Sequence, residues 1–147
     1  MSKQDLFQIV NKQIADWTVL YVKLHNFHWN VKGDQFFVLH EKFEELYNEA
    51  AGYIDELAER LLALGAKPVA TIRESLEISS MKEAEGVETA EQMVRAVVDD
   101  FSAIIQDLDK GIKVAEEVND EATGDMLLDM KVNLEKHNWM LKSFLGK

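Results

Sequence analysis

Apolar residues recur every three or four positions through four long stretches of this chain. In the first, Val10, Ile14, Trp17, Tyr21, Leu24 and His28 follow alternating steps of four and three. That spacing gathers them on one face of an α-helix and predicts a helix over about residues 4–31. Asn30 to Gln35, with Gly33 and Asp34 inside it, reads as a short turn. The second stretch carries Phe43, Tyr47, Ala50, Ile54, Leu57, Leu61 and Leu64 in the same pattern. It stops at Leu64-Gly65-Ala66-Lys67-Pro68, a glycine cap followed by a proline.

From Gly65 to about Glu88 the periodicity lapses, apart from a short helix expected near Thr71–Glu77. A third long helix opens at Thr89, where Gln92 three positions on makes a capping-box pattern. Its stripe is Met93, Val97, Phe101, Ile104, Leu108, Ile112 and Ala115. After a turn at Asn119-Asp120 the fourth helix carries Leu127, Met130, Leu134, His137, Leu141 and Phe144. Four such helices make an all-α bundle. The two tight turns make antiparallel hairpins, and the middle connection is long enough to run the bundle's length. Two hairpins joined by one long crossover with a short helix in it is the ferritin-like connectivity. A plain up-down bundle with a loose second loop is the alternative.

Composition narrows the chemistry. A chain of 147 residues, 47% of them hydrophobic, is long enough for one domain with a real core, expected over residues 1–147. It holds no cysteine, which excludes disulfides, thiolate nucleophiles and cysteine-held zinc or iron–sulfur centres. Any metal must be held by imidazole and carboxylate. The opening Met1-Ser2-Lys3-Gln4-Asp5 has no signal-peptide pattern, and no apolar run reaches membrane-spanning length. A cytoplasmic location without membrane association is expected. The net charge of −11 opposes phosphate-driven nucleic-acid binding, which needs a basic face or arm. Lys3 is the only basic residue before Lys12, so DNA binding is not expected. An acidic surface instead attracts cations.

The second helix carries the candidate chemistry. His40 and Glu44 are four apart, as are Asp55 and Glu59, so each pair lies on one face a turn apart. The pairs are separated by about 22 Å along a helix rising about 1.5 Å per residue, too far to share one ion within one chain. A second copy packed antiparallel, crossing near Ala50, Ala51 and Gly52, would bring His40 and Glu44 of one chain beside Asp55 and Glu59 of the other. Glu44, Asp55 and Glu59 project away from the core stripe, together with Asn48, Ala51 and Gly52, and His40 lies at its border. A solvated face rarely carries glycine, which costs about 1 kcal/mol in a helix interior relative to alanine. A partner helix packed closely there offsets that cost. No histidine has a glutamate three positions before it, so a di-iron centre inside the bundle of the Glu-x-x-His kind is not expected. Imidazole with carboxylates suits Fe(II) and Fe(III), and Mn(II) or Zn(II) can occupy the same donors. A zinc hydrolase is the competing use, but nothing marks a substrate pocket.

These residues closely resemble those of the Dps family, the ferritin-like mini-ferritins named for DNA protection in starved cells. The matching core is His25-Asn26-Phe27-His28-Trp29-Asn30-Val31-Lys32-Gly33, then His40-Glu41 with Glu44, then Asp55 with Glu59. The resemblance covers essentially the whole chain, including the short helix in the crossover. It implies a hollow homo-dodecamer with ferroxidase sites at two-fold interfaces, each able to hold two irons. His28, His40 and Glu44 would come from one subunit, and Asp55 and Glu59 from its partner. Many members carry aspartate where this chain has Glu44. The resemblance further implies that Fe(II) is oxidised, preferentially by hydrogen peroxide, and stored as ferric oxyhydroxide, protecting against oxidative stress. A structural or DNA-protecting cage with weak ferroxidase activity is the alternative. Trp29 is expected to intercept oxidising equivalents or pack at the interface, and His25 to be an interface or supporting residue. His137 lies on an apolar stripe and reads as a hydrogen-bonded core residue. Asp120, Asp125 and Asp129 are implied to line an acidic pore for iron entry. A dipole-complementing helix start is the alternative, and it suits Asp120 better than Asp129. Met93 and Met130 read as packing.

Overall fold

The capping signals become helix ends. The computed structural model describes residues 1–147 and contains five helices: α1 (Lys3–Asn30), α2 (Phe36–Ala63), α3 (Ile72–Ile78), α4 (Ala90–Glu117) and α5 (Glu121–Phe144). Ser2 with Asp5, and Thr89 with Gln92, form reciprocal capping boxes at the starts of α1 and α4, each satisfying two backbone donors that helix geometry leaves open. Thr71 caps α3 by accepting from the Glu74 amide. At the end of α2, Gly65 adopts φ 84° and lets the Ala66 amide reach back to the Leu61 carbonyl at 2.8 Å, a Schellman closure. Asn119 does the same after α4 with φ 60°, and the Asp120 amide bonds the Ala115 carbonyl at 2.8 Å.

The stripes converge on one core. Trp17, Phe27, Phe43 and Phe101 are its largest fully buried side chains. Leu39 and Leu46, outside the predicted stripe of α2, are buried too. Leu39 lies beside Leu141 and Phe144 of α5, so the buried part of α2 is wider than the single predicted stripe. Phe144, placed on the stripe of α5, is exposed in the helix's last turn.

Cross-helix contacts fix the directions. Lys12 pairs with Asp107 and Lys23 with Asp100, so α1 and α4 run antiparallel. Glu49 meets His137 and Arg60 meets Asp120, so α2 and α5 also run antiparallel. With α1 and α2 themselves antiparallel across their turn, α2 and α4 point the same way. The connection between them must therefore travel the bundle's length, and its anchors on α1 trace the route. Asn11 bonds the Lys67 carbonyl and the Val69 amide; further along, buried Asp16 accepts from Ser79 Oγ at 2.7 Å and the Ser80 amide at 2.9 Å. The fold is the all-α bundle with a long crossover, and α3 is the short helix within it. No helix is long and apolar enough to cross a membrane.

Candidate metal centre

The last turn of α1 and the first turns of α2 meet beside the 31–35 turn, and there His28 and His40 stack face to face. Their ring centroids are 3.7 Å apart with planes inclined by 14°. Each ring is held by the other residue's backbone. His28 Nδ1 lies 2.7 Å from the His40 carbonyl, and His40 Nδ1 lies 2.7 Å from the His28 carbonyl. A carbonyl can only accept, so both Nδ1 atoms carry the hydrogen, and in the neutral rings the lone pair is left on Nε2. This is the arrangement of a metal-ligating histidine whose second nitrogen is tied to an outer carbonyl. Phe36 stacks on the outer face of His40 at 5.0 Å and helps fix its ring.

Glu44, one turn beyond His40, completes the cluster. His28, His40 and Glu44 offer ligand atoms that all lie within 4.8 Å of one another. Glu44 Oε1 is 3.8 Å from His28 Nε2, with His28 buried and Glu44 exposed. That gap is too long for a hydrogen bond and of the size a cation bridges with bonds of about 2.1 Å. The donor set of two imidazoles and a carboxylate fits Fe(II), Mn(II) or Zn(II). The longer arm of glutamate still delivers its carboxylate to the cluster.

Asp55 and Glu59 do not join this cluster. Both are exposed farther along α2, on the face that also carries Glu44, Asn48, Ala51 and Gly52. A Cβ built on Gly52 meets nothing within 4 Å, whereas one on Gly111 would lie 2.7 Å from Leu127 Cδ1. Gly111 is thus crowded by packing within the chain, and Gly52 is not.

The surroundings are aromatic. Tyr47 sets its ring edge-on to His28 at 5.3 Å and stacks on His25 at 3.7 Å. His25 donates Nδ1–H to the Tyr21 carbonyl at 2.8 Å and meets Trp29 at 5.2 Å. Trp29 is 68% exposed. Desolvation, the Glu44 charge and Tyr21 push the Tyr47 phenol above its ordinary pKa, in that order of weight. Sequence periodicity assigned Tyr47 to the core; its position three residues after Glu44 and seven after His40 was the available signal that it shares their end of the helix.

The remaining candidates have separate settings. His137 is buried, donates Nε2–H to Glu49 at 2.7 Å and accepts from Lys42 at 3.2 Å. Glu45, Glu49 and His137 also converge, but the Lys42 ammonium already supplies the positive charge there. Asp120 caps α5, accepting from the Thr123 amide at 3.1 Å and hydroxyl at 2.6 Å, and pairs with Arg60 at 3.0 Å. Burial opposes its ionisation, yet these bonds together hold its carboxyl below the ordinary range. Asp125 and Asp129 are exposed.

Residues 7–147 match the ferritin-like domain family. The chain is 67% identical over 146 residues to general stress protein 20U of Bacillus subtilis, covering 99% of this chain and 100% of that protein. Its backbone superposes on a Dps protein from Bacillus brevis with TM-score 0.96 and 55% identity, covering 99% of both chains. It superposes on a Dps protein from Vibrio cholerae, described as a member of a superfamily of ferritin-like diiron-carboxylate proteins, with TM-score 0.93 and 34% identity. That match covers 97% of this chain and 89% of the other.

Proposed function

The chain belongs to the Dps family of ferritin-like proteins, and from that premise we propose that it is an iron-detoxifying ferroxidase that works as a hollow dodecamer. The observation that carries this reading is the pair of reciprocally bonded histidines clustered with Glu44, whose Oε1 lies 3.8 Å from His28 Nε2. Such a site is already arranged for a cation, so binding costs little reorganisation.

Fe(II) is the substrate. His28, His40 and Glu44 of one subunit bind it, and Asp55 and Glu59 of an antiparallel neighbour close the site from the other side. The exposed small face around Ala51 and Gly52 supports close approach of that neighbour. Two Fe(II) ions each give one electron to hydrogen peroxide. The O–O bond breaks, and two protons complete two waters, with no hydroxyl radical released. Carboxylates stabilise the Fe(III) product, which collects as ferric oxyhydroxide inside the cage. Asp125 and Asp129 guide incoming cations, while Asp120 holds the start of α5 in place. The net charge of −11 per chain favours protection of the cell by removing iron and peroxide over direct contact with DNA phosphates. A cytoplasmic location agrees with this role.

Anaerobic loading with Fe(II), followed by stoichiometric hydrogen peroxide and size-exclusion chromatography, tests the reading. Rapid oxidation with ferric iron co-eluting with a particle near twelve subunits is expected. Slow oxidation, or iron precipitating away from an intact cage, would favour the weakly active structural cage instead.

A further inference from the structure

His137 is buried on α5 with both ring nitrogens engaged. Its Nε2–H donates to Glu49 at 2.7 Å, and its Nδ1 accepts from the Lys42 ammonium at 3.2 Å. An ammonium can only donate, so the imidazole lone pair faces Lys42. The same ammonium lies 3.0 Å from Glu45 Oε2. A positive charge thus sits between an imidazole nitrogen and a carboxylate oxygen, donors that suit divalent transition metals. Glu49 stands on the far side of the ring, where a carboxylate orients a ligating histidine and raises its basicity. Asn133 donates to the other Glu49 oxygen, and Phe101 packs 6.2 Å from the His137 ring. Glu49 and His137 are therefore fixed before any cation arrives.

Lys42 differs from the other lysines held within the bundle. Lys12 meets two aspartates and a serine hydroxyl, and Lys23 meets Asp100, so their partners are all oxygens. Lys42 donates to a ring nitrogen, an acceptor that adds no opposite charge. Its one ion-pair partner, Glu45, has a side chain 55% exposed, and a pair so open to water contributes little. Lys42 and Glu45 also line a cleft of about 300 Å³ between α2 and α5, along with Glu41, Leu39, Leu141 and Phe144. The cleft gives the flexible lysine stem room to turn away, with a second carboxylate, Glu41, in its lining.

We propose that Glu45 and His137 Nδ1, with Glu49 behind the ring, form a second site for a divalent transition cation, whose place Lys42 holds until the cation displaces it. Glu45, Glu49 and His137 offer donor atoms that all lie within 4.8 Å of one another, so the cation needs no rearrangement beyond the departure of Lys42. It brings twice the charge of the ammonium and bonds Nδ1 and Glu45 directly, with water filling the remaining positions. Glu49 keeps its bond to Nε2–H and holds the ring. The site shares no residue with the His28–His40–Glu44 cluster and does not rest on the ferroxidase reading.

The test uses the assembled protein carrying His28→Ala and His40→Ala, which leaves His25 and His137 as its only histidines. Zn(II) is the probe, with affinity measured by equilibrium dialysis and coordination by X-ray absorption. Bound Zn(II) is expected to show scattering from one imidazole. Glu45→Gln, a change at an exposed position, should weaken binding several-fold. Lys42→Met keeps an apolar stem but removes the competing ammonium, and should tighten binding several-fold with the imidazole retained. His137→Phe should lose the imidazole signal; if that variant does not assemble, the Glu45→Gln and Lys42→Met affinities decide alone. Zn(II) that does not bind, or is held by oxygen alone, would overturn the proposal. So would an imidazole signal that survives His137→Phe, which would place the metal on His25, or a Lys42→Met protein that binds no more tightly.

Discussion

His28 and His40 each use a backbone carbonyl as the partner for Nδ1, and the consequence is a choice of tautomer made by the fold. The same principle of commitment by hydrogen bonding governs Glu49. Burial alone would raise its pKa, but the bonds from His137 and Asn133, with the charge of Lys42 nearby, outweigh burial and lower it from the ordinary value of 4.5. A carboxyl whose folded pKa is depressed stabilises the fold above its unfolded pKa. That contribution is lost as pH falls from about 4.5 through the lower folded value. Glu49→Gln should therefore cost ~2 kcal/mol near neutrality and show a shallower loss of stability below pH 4.5. Chemical denaturation across pH checks this; equal slopes for variant and wild type would show that Glu49 does not titrate differently in the folded state. At this scale the sequence was only partly legible. Ligand types and spacing named His40 and Glu44, and the family resemblance added His28; the structure brings the three together. The stacked imidazoles and Tyr47's place beside them were hidden, because they depend on how two helices meet and not on the period of either one.

At the scale of elements, the crossover has the least apolar anchoring, and polar contacts hold it. Asp16 is fully buried and accepts from Lys12, Ser79 and Ser80. Lys12 in turn reaches Asp107 on α4 at 2.6 Å, so one aspartate ties α1, the crossover and, through Lys12, α4. Removing it leaves the half-buried Ser79 hydroxyl, the Ser80 amide and the partly buried Lys12 ammonium without this partner. Asp16→Ala should cost about 1–3 kcal/mol, and the amides around Ser79–Met81 should exchange hydrogen much faster than in wild type. Unchanged exchange there would mean that apolar packing, not Asp16, seats the crossover. The helices themselves were legible, since caps at Thr71, Thr89 and Gly65 are local chemistry. The path of the crossover was legible only as a length; its anchors join residues more than fifty positions apart and leave no periodic trace.

At the scale of the whole molecule, the chain presents a face that its own packing does not explain. Gly52 leaves open space beside it, Ala51 is exposed in mid-helix, and Asp55 and Glu59 stand beyond reach of the His28–His40–Glu44 cluster. Glycine in a helix interior has a stability cost, and a neighbouring copy of α2 is the partner that would recover it. This arrangement was legible from spacing along one helix, because a rigid helix converts sequence separation directly into distance. The central claim is that each site draws ligands from two chains, and complementation tests it most directly. A His28→Ala/His40→Ala chain and an Asp55→Ala/Glu59→Ala chain, each inactive alone, are co-assembled, and mixed particles are confirmed by mass before iron oxidation is measured. Recovery of part of the wild-type rate in mixed particles is predicted, since some interfaces then join an intact histidine half to an intact carboxylate half. Mixed particles as inactive as either parent would contradict the two-chain site.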